Sequence, residues 1–452
     1  MGDVLQYFVD LGASVLLPII IFVFGLILKT KPSQAFRAGL TVGIGFIAIN
    51  LVIGLLAENL GPAAQQMVNR LGIELSVIDV GWPATSAIAF GSSVGALAIP
   101  IGLAVNIALL VFGLTKTLNI DLWNLWHIAF TGALVSIMTG SFVMGLVTCI
   151  VHAIVLLVLA DLTAKHVAEY YGYPNISFPH GTSTPYYLLA MPLNKLFDRI
   201  PGLKNWKADP EAIQKKLGIF GESTIVGLIL GIIIGVLAGY NLQETLQLGV
   251  ATAAVMLLLP RMVSILMEGL APISEAAGEF VKRRFPGREV YIGMDSALAV
   301  GHPAAIASTL ILTPIVLLLA IIVPGNKVLP FGDLATLPFI VCMMVPIFRG
   351  NVIRTVLAGT IALGFGLLLA TYISPLFTEA ARNVGFAFPE GAGAVSSLVD
   401  GAVPTTALFI FGAKLGYIGL GIIGVLALVT GYFVNRRRPA SKQEDNATKI
   451  PS

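Results

Sequence analysis

Few side chains able to do chemistry lie within the apolar stretches of this chain, and most of those sit where glycine and proline interrupt the pattern. One such segment, Phe178-Pro179-His180-Gly181-Thr182-Ser183-Thr184-Pro185, sets an imidazole beside three hydroxyls in a turn. Another, Gly293-Met294-Asp295-Ser296 followed by Gly301-His302-Pro303, holds a carboxylate and a second imidazole. A carboxylate accepts from hydroxyls and an imidazole donates or accepts, so these groups suit an uncharged, polyhydroxylated ligand. They are also the groups able to take a proton from an attacking hydroxyl, with Asp295, His180 and His302 as the candidate bases. For His180 a purely structural turn is the plain alternative. His127 follows Trp123-Asn124-Leu125-Trp126 and reads either as a site residue or as the polar neighbour of an interfacial aromatic belt. Asp79 and Asp400, each near Gly and Pro, belong to helix breaks or cap the helices that follow. His152, among Val, Ile and Leu, reads as a helix–helix hydrogen-bond partner, and His166, beside Lys165, as a solvated loop residue.

Other chemistries find no support. No Gly-x-x-x-x-Gly-Lys-Ser/Thr phosphate loop occurs, which excludes an ATP-driven pump within this one chain. No His/Cys cluster has metal-ligand spacing, and neither an Arg-rich voltage-sensing helix nor a Thr-Val-Gly-Tyr-Gly filter is present. The two cysteines, Cys149 and Cys342, lie in apolar runs and read as core. No metal or cofactor is implied.

The elements that must position these groups are set by composition. Of 452 residues, 56% are hydrophobic and 11% charged, with a mean hydropathy of +0.90. Soluble domains carry roughly 25% charged residues. Cytosolic enzymes, disordered chains and nucleic-acid binders are thereby excluded, and an all-α polytopic membrane protein remains. Runs of about 20 apolar residues predict about eleven spans. The first is Leu11–Leu28, with neither a basic cluster nor a cleavage site before it, so it reads as a true span. The predicted spans continue with Ala38–Leu56, then Pro83–Leu114 interrupted at Pro100, Trp123–Gly140 and Phe142–Asp161. Thr224–Tyr240, Thr245–Leu259, Ala304–Val323, Leu334–Phe348, Val356–Ile373 and Leu415–Val434 follow. Basic clusters then all fall on one side, with the N-terminus outside and the C-terminus inside. They include the loop of about 193–223 with Lys195, Arg199, Lys204, Lys207, Lys215 and Lys216, and the tail opened by Arg436, Arg437 and Arg438. Glu58–Asp79 is predicted to be a polar outer stretch, and 436–452 a tail without structure.

Three broken stretches, about 170–192, 290–303 and 386–412, are apolar enough to enter the membrane. Irregular backbone survives there only where protein or a wet cavity satisfies it, and such breaks point to a transporter site. A weak echo links Arg37, Gly61-Pro62, Asp79 and Phe90-Gly91 to Arg354, Ser374-Pro375, Asp400-Gly401 and Phe411-Gly412. By the charge reading both run inside to outside, which predicts a parallel duplication.

On several of these motifs the chain resembles the membrane-embedded IIC subunits of the bacterial phosphoenolpyruvate-dependent sugar phosphotransferase system, galactitol type. The resemblance spans about residues 5–435. It rests on Val80-Gly81-Trp82-Pro83, Trp123-Asn124-Leu125-Trp126-His127, Phe130-Thr131-Gly132-Ala133, Pro179-His180-Gly181-Thr182-Ser183 and Phe220-Gly221-Glu222. Further support comes from Ala251–Pro260 with Arg261, and above all from Val323-Pro324-Gly325-Asn326-Lys327-Val328-Leu329-Pro330-Phe331-Gly332-Asp333-Leu334-Ala335.

The family is similar to the ascorbate IIC group. That kinship implies a homodimer in the bacterial inner membrane, each protomer with interleaved scaffold and core domains, the core moving as an elevator. The resemblance also implies an alditol substrate, galactitol first. Separate IIB and IIA chains would carry the phosphocysteine and phosphohistidine, so this chain would be a transport subunit rather than a complete enzyme. Within that frame Asp295 and His180 are expected to bind alditol hydroxyls, and one of them or His302 to accept the proton. His127 and Thr182 would complete the polar wall, Trp82 would stack on the carbon chain, and Asp79 is a further candidate. The basic loop is the expected IIB docking surface. The rival readings are a proton-coupled secondary polyol transporter, with the same groups as a proton relay, and a channel or scaffold subunit.

Overall fold

Helices dominate the chain, as its hydropathy requires. The computed structural model describes residues 13–71, 75–200, 222–284, 290–388 and 393–436. Lys204, Lys207, Lys215 and Lys216 of the basic loop, the Phe220-Gly221 pair and the tail from 437 lie outside the described residues. Helices α1 (Ala13–Ile27) and α2 (Pro32–Leu71) lead through strand β1 (Val77–Asp79) to α3 (Gly81–Gly91) and α4 (Gly95–Phe112). Strand β2 (Thr117–Asn119) and a 3-10 turn over Leu122–Leu125 precede α5 (Trp126–Thr139) and α6 (Phe142–Tyr171). Then come β3 (Ile176–Ser177), α7 (Tyr186–Phe197), α8 (Ser223–Ala238) and α9 (Leu242–Arg284). They are followed by β4 (Tyr291–Gly293), α10 (Ala297–Val300), α11 (Pro303–Ile322), β5 (Val328–Leu329) and a 3-10 turn over Leu334–Thr336. The described chain ends with α12 (Leu337–Cys342), α13 (Val352–Asn383), β6 (Ala394–Ser396), α14 (Pro404–Lys414) and α15 (Gly416–Arg436).

Among the described residues, six helical stretches are long and apolar enough to cross a bilayer, α4, α6, α11, α13 and α15 among them, and the sixth joins the 3-10 turn at Leu122 to α5. Local sequence sets their ends. Gly140 adopts the left-handed conformation that closes α5, and the Ser141 side chain accepts the Met144 N–H to open α6. Several boundaries differ from the sequence expectation. The polar stretch from Glu58 continues α2 as helix to Leu71, and α9 runs on past Leu259 to Arg284. These two long helices pack along each other with α1 and α8, so their polar ends extend a bundle. The break expected at Pro100 falls instead at Ser92, whose hydroxyl caps Gly95, while Pro100 sits inside α4. Only Leu337–Cys342 of the stretch 334–348 is α-helical; turns carry the chain to Gly350.

The all-α class holds, with one local addition. Each of two parallel three-stranded sheets is built from strands of two or three residues, too short for alternation to be read from sequence. They occur at the broken segments, where the backbone must find partners away from water.

The sheets expose a repeat different from the predicted one. The order of elements from α1 to α7 recurs from α8 to α14, with α2 matching α9, β1 matching β4, α5 matching α12, and β3 matching β6. The central strand of each sheet comes from the opposite unit. Ile78 of β1 lies between Leu329 of β5 and Val395 of β6, and Ile292 of β4 lies between Leu118 of β2 and Ile176 of β3. The echo between Arg37 and Arg354 therefore pairs elements that are not twins in this order. The remaining helices gather around α5, α6 and α13, apart from the bundle of α1, α2, α8 and α9.

Candidate functional site

The exchanged strands draw the broken segments together around a chamber of about 220 Å³. Three indoles, Trp82, Trp123 and Trp126, and the Phe339 ring form its apolar wall; His180, Thr182 and Asp295 supply polar groups. Trp82 meets Trp123 edge to face at 6.1 Å, and the His180 ring stacks on Phe339 at 5.4 Å. Met267 of α9 closes one side, so both helix groups contribute. Aromatic walls with a few placed polar groups are the usual make-up of a small-molecule pocket, and aromatic faces against polar tips suit a sugar-like carbon chain.

His180 precedes α7 in the turn after β3. Its Nδ1 accepts the Ser183 backbone N–H at 3.2 Å, which places the proton of the neutral ring on Nε2. That nitrogen lies 3.5 Å from Asp295 Oδ1. Ser183 Oγ also lies 2.7 Å from Ser296 Oγ, which ties the first broken segment to the second. Asp295 Oδ1 accepts the Ala297 N–H at 2.8 Å and so caps α10, while its other oxygen has no partner among the described residues. His180 and Asp295, the two leading candidates from sequence, therefore meet at one wall of the chamber.

Behind His180 lies a second polar pair. His127 Nδ1 is 2.8 Å from Asp400 Oδ2, and the Thr182 hydroxyl donates to Asp400 Oδ1 at 2.7 Å. The His127 ring packs between Trp126, at 4.1 Å, and His180, at 4.5 Å. Gly181 makes this approach feasible: a Cβ there would stand 2.4 Å from the His127 Cβ. Thr182 thus touches both the chamber and Asp400.

Two candidates are placed elsewhere. Asp79 is fully buried and spends both oxygens on backbone: Phe331 and Asp333 donate to Oδ2 at 3.1 and 2.9 Å, and Gly81 and Leu398 to Oδ1 at 3.3 Å each. A buried carboxylate so engaged is a structural clasp, with no lone pair left over for a ligand. His302 accepts the Ala304 N–H as the cap of α11 and lies against Tyr170 and Tyr171, outside the chamber lining. His152 bonds the Thr131 hydroxyl at 2.8 Å, the helix-to-helix role expected of it.

The sequence reading left the role of Asp400 open and assigned none to Asp333. Asp333 completes the clasp, accepting from the backbone of Trp82 and Val399 and from the Ser397 hydroxyl. The signal for Asp400 was available: His180-Gly181 with Pro185 and Asp400-Gly401 with Pro404 recur at matching places.

Comparison with known proteins bears on what such a chamber serves. Residues 7–391 match the family model described as the PTS system sugar-specific permease component. Two proteins described as PTS system galactitol-specific EIIC component, from Escherichia coli strain K12 and Escherichia coli O157:H7, are each 42% identical over 438 residues. The alignments cover 97% of this chain and 96% of each relative.

Proposed function

The chain belongs to the family of sugar-specific permease components of the phosphotransferase system, multi-pass proteins of the bacterial inner membrane; from that premise we propose that it binds an alditol, galactitol first, and carries it inward as a separate IIB phosphocysteine phosphorylates it. One observation carries the proposal: His180 and Asp295 face each other at 3.5 Å on the wall of an aromatic-lined chamber of about 220 Å³. An uncharged polyol needs such a wall, with apolar faces along the carbons and donors and acceptors at the hydroxyls.

The reaction asks little covalent chemistry of this chain. A substrate hydroxyl attacks phosphorus, the P–S bond breaks, and the thiolate departs with its electron pair; positioning supplies most of the catalysis. Asp295, through its unpartnered oxygen, accepts the hydroxyl proton, and His180 Nε2–H holds a neighbouring oxygen. Cys149 and Cys342 are buried in helices and serve as core. IIA and IIB act as separate partners, and IIB docks on the basic cytoplasmic loop.

We assign the four-helix group of α1, α2, α8 and α9 as scaffold and dimer interface, and the helices around α5, α6 and α13 as the moving core. Met267 of the scaffold against the core-borne chamber wall is consistent with an elevator. The topology has about eleven spans, N-terminus out and C-terminus in. Five spans in the first unit, an odd number, make the second unit inverted rather than parallel, the arrangement that places transporter sites between repeats.

The test is purified protein in vesicles with phosphorylated IIB and labelled alditols. Phosphorylated galactitol appearing inside only when IIB is present supports the reading. Uptake without IIB, collapsed by a protonophore, would replace it with proton-coupled transport.

A further inference from the structure

The segments that open α7 and α14 are twins in the repeat, and each reaches across to the other unit. His180 stacks on Phe339 of the second unit; Asp400 binds His127 of the first. His127 and Phe339 hold equivalent places, each the sixth residue after the aspartate that precedes the 3-10 turn, Asp121 and Asp333. Asp400 thus stands where His180 stands, one unit later.

Both oxygens of Asp400 accept, one from Thr182 and one at His127 Nδ1, so Nδ1 carries the proton. His127 Nε2 then presents a lone pair. It is buried and has no hydrogen-bond partner among the described residues, in a ring that lies just behind the chamber lining, against its wall residues Trp126 and His180. An acceptor left unmet in such a place costs stability unless a ligand meets it.

We propose that Asp400 is a positioning residue: it holds His127 in the Nδ1–H form so that Nε2 accepts a hydrogen bond from one hydroxyl of the bound alditol. The inference rests on the alditol reading above. His180 is fixed in the opposite sense, because Ser183 occupies its Nδ1 and leaves Nε2–H to donate. The ligand then meets one imidazole donor and one imidazole acceptor, and each hydroxyl, able to donate or accept, turns to suit the nitrogen it faces.

The experiment compares wild type with Asp400→Asn, full-length in lipid nanodiscs, for binding of galactitol and of its monodeoxyfluoro analogues, whose C–F group can accept a hydrogen bond but cannot donate one. Asparagine keeps a carbonyl for Thr182 but turns an amide N–H toward Nδ1. The proton moves to Nε2 and the acceptor becomes a donor, the reversal seen when the aspartate of a Ser-His-Asp triad is made asparagine. Galactitol affinity should fall about 10- to 100-fold. One monodeoxyfluoro analogue, whose fluorine would face the Nε2 lone pair in wild type, should bind the variant more tightly than it binds wild type. Unchanged affinity with an unchanged analogue profile overturns the proposal. A second readout does not depend on the variant folding: in wild type labelled with 15N-histidine, with His127 assigned through His127→Gln, Nδ1 should be protonated and Nε2 bare. The reverse pattern overturns the proposal. Wild type that binds no alditol refutes the substrate reading instead, while the nitrogen spectrum still judges the Asp400–His127 pair.

Discussion

At the end of β1, Asp79 gives both oxygens to backbone N–H groups of the other unit; at the end of β4 the matching position is Gly293, and the acid comes two residues later as Asp295. The reason for the displacement is steric. A Cβ on Gly293 would stand 2.8 Å from Asn119 Cα and 2.9 Å from Pro179 Cγ, so no carboxylate fits there. The acid moves out of the strand to the mouth of a short helix, with one oxygen capping it and the other unclaimed. The same sheet architecture thus makes a saturated clasp on one side and an open one on the other. Asp79 is fully buried and Asp295 partly open, and the count of unspent lone pairs divides them the same way.

The largest effect that tests this contrast is on the saturated side. Asp79→Ala leaves the N–H groups of Phe331, Asp333, Gly81 and Leu398 without their acceptor. It should destabilise the protein by roughly 3–5 kcal/mol and remove most assembled material, as read by thermal unfolding and by yield of the extracted protein. A stable, transport-inactive Asp79→Ala would instead move Asp79 into the site. On the open side, Asp295→Asn should keep the unfolding temperature and lower IIB-dependent galactitol phosphorylation on the order of 100- to 10,000-fold. Gly181→Ala, which drives a methyl into His127, should weaken alditol binding roughly 10- to 100-fold with a smaller loss of stability. The smallest effect belongs to His302→Gln. The loss of a cap outside the chamber costs about 1 kcal/mol at most, and uptake kinetics should stay within roughly twofold of wild type.

The first-order features were legible because they rest on composition and on breaks in pattern. Apolar runs predicted the long helices, and the Pro-Gly segments singled out His180 and Asp295, which the fold brings to 3.5 Å of each other, since irregular backbone at membrane depth must be satisfied by protein or a wet cavity. What stayed hidden depended on partners far away in sequence. Nothing around Asp79 distinguishes a clasp from a ligand-binding acid until Phe331, Asp333 and Leu398 are seen to converge on it. His302 reads as a site residue from its Gly-His-Pro setting, yet that same setting makes a helix cap. The helical run of α2 beyond Glu58 was masked by its polarity, because hydropathy marks spans and not the polar ends of a packed bundle.

The exchanged strands also bear on how the chain is made. Val77 cannot find its neighbours until Val328 and Ala394 have been synthesised. At roughly 5–20 residues per second, that is a wait of tens of seconds for an unpaired edge already delivered to the bilayer. The N-terminal unit therefore cannot mature alone. A ribosome that stalls between the units should leave a protease-sensitive intermediate rather than a half-sized domain, because β1 still lacks both of its neighbours.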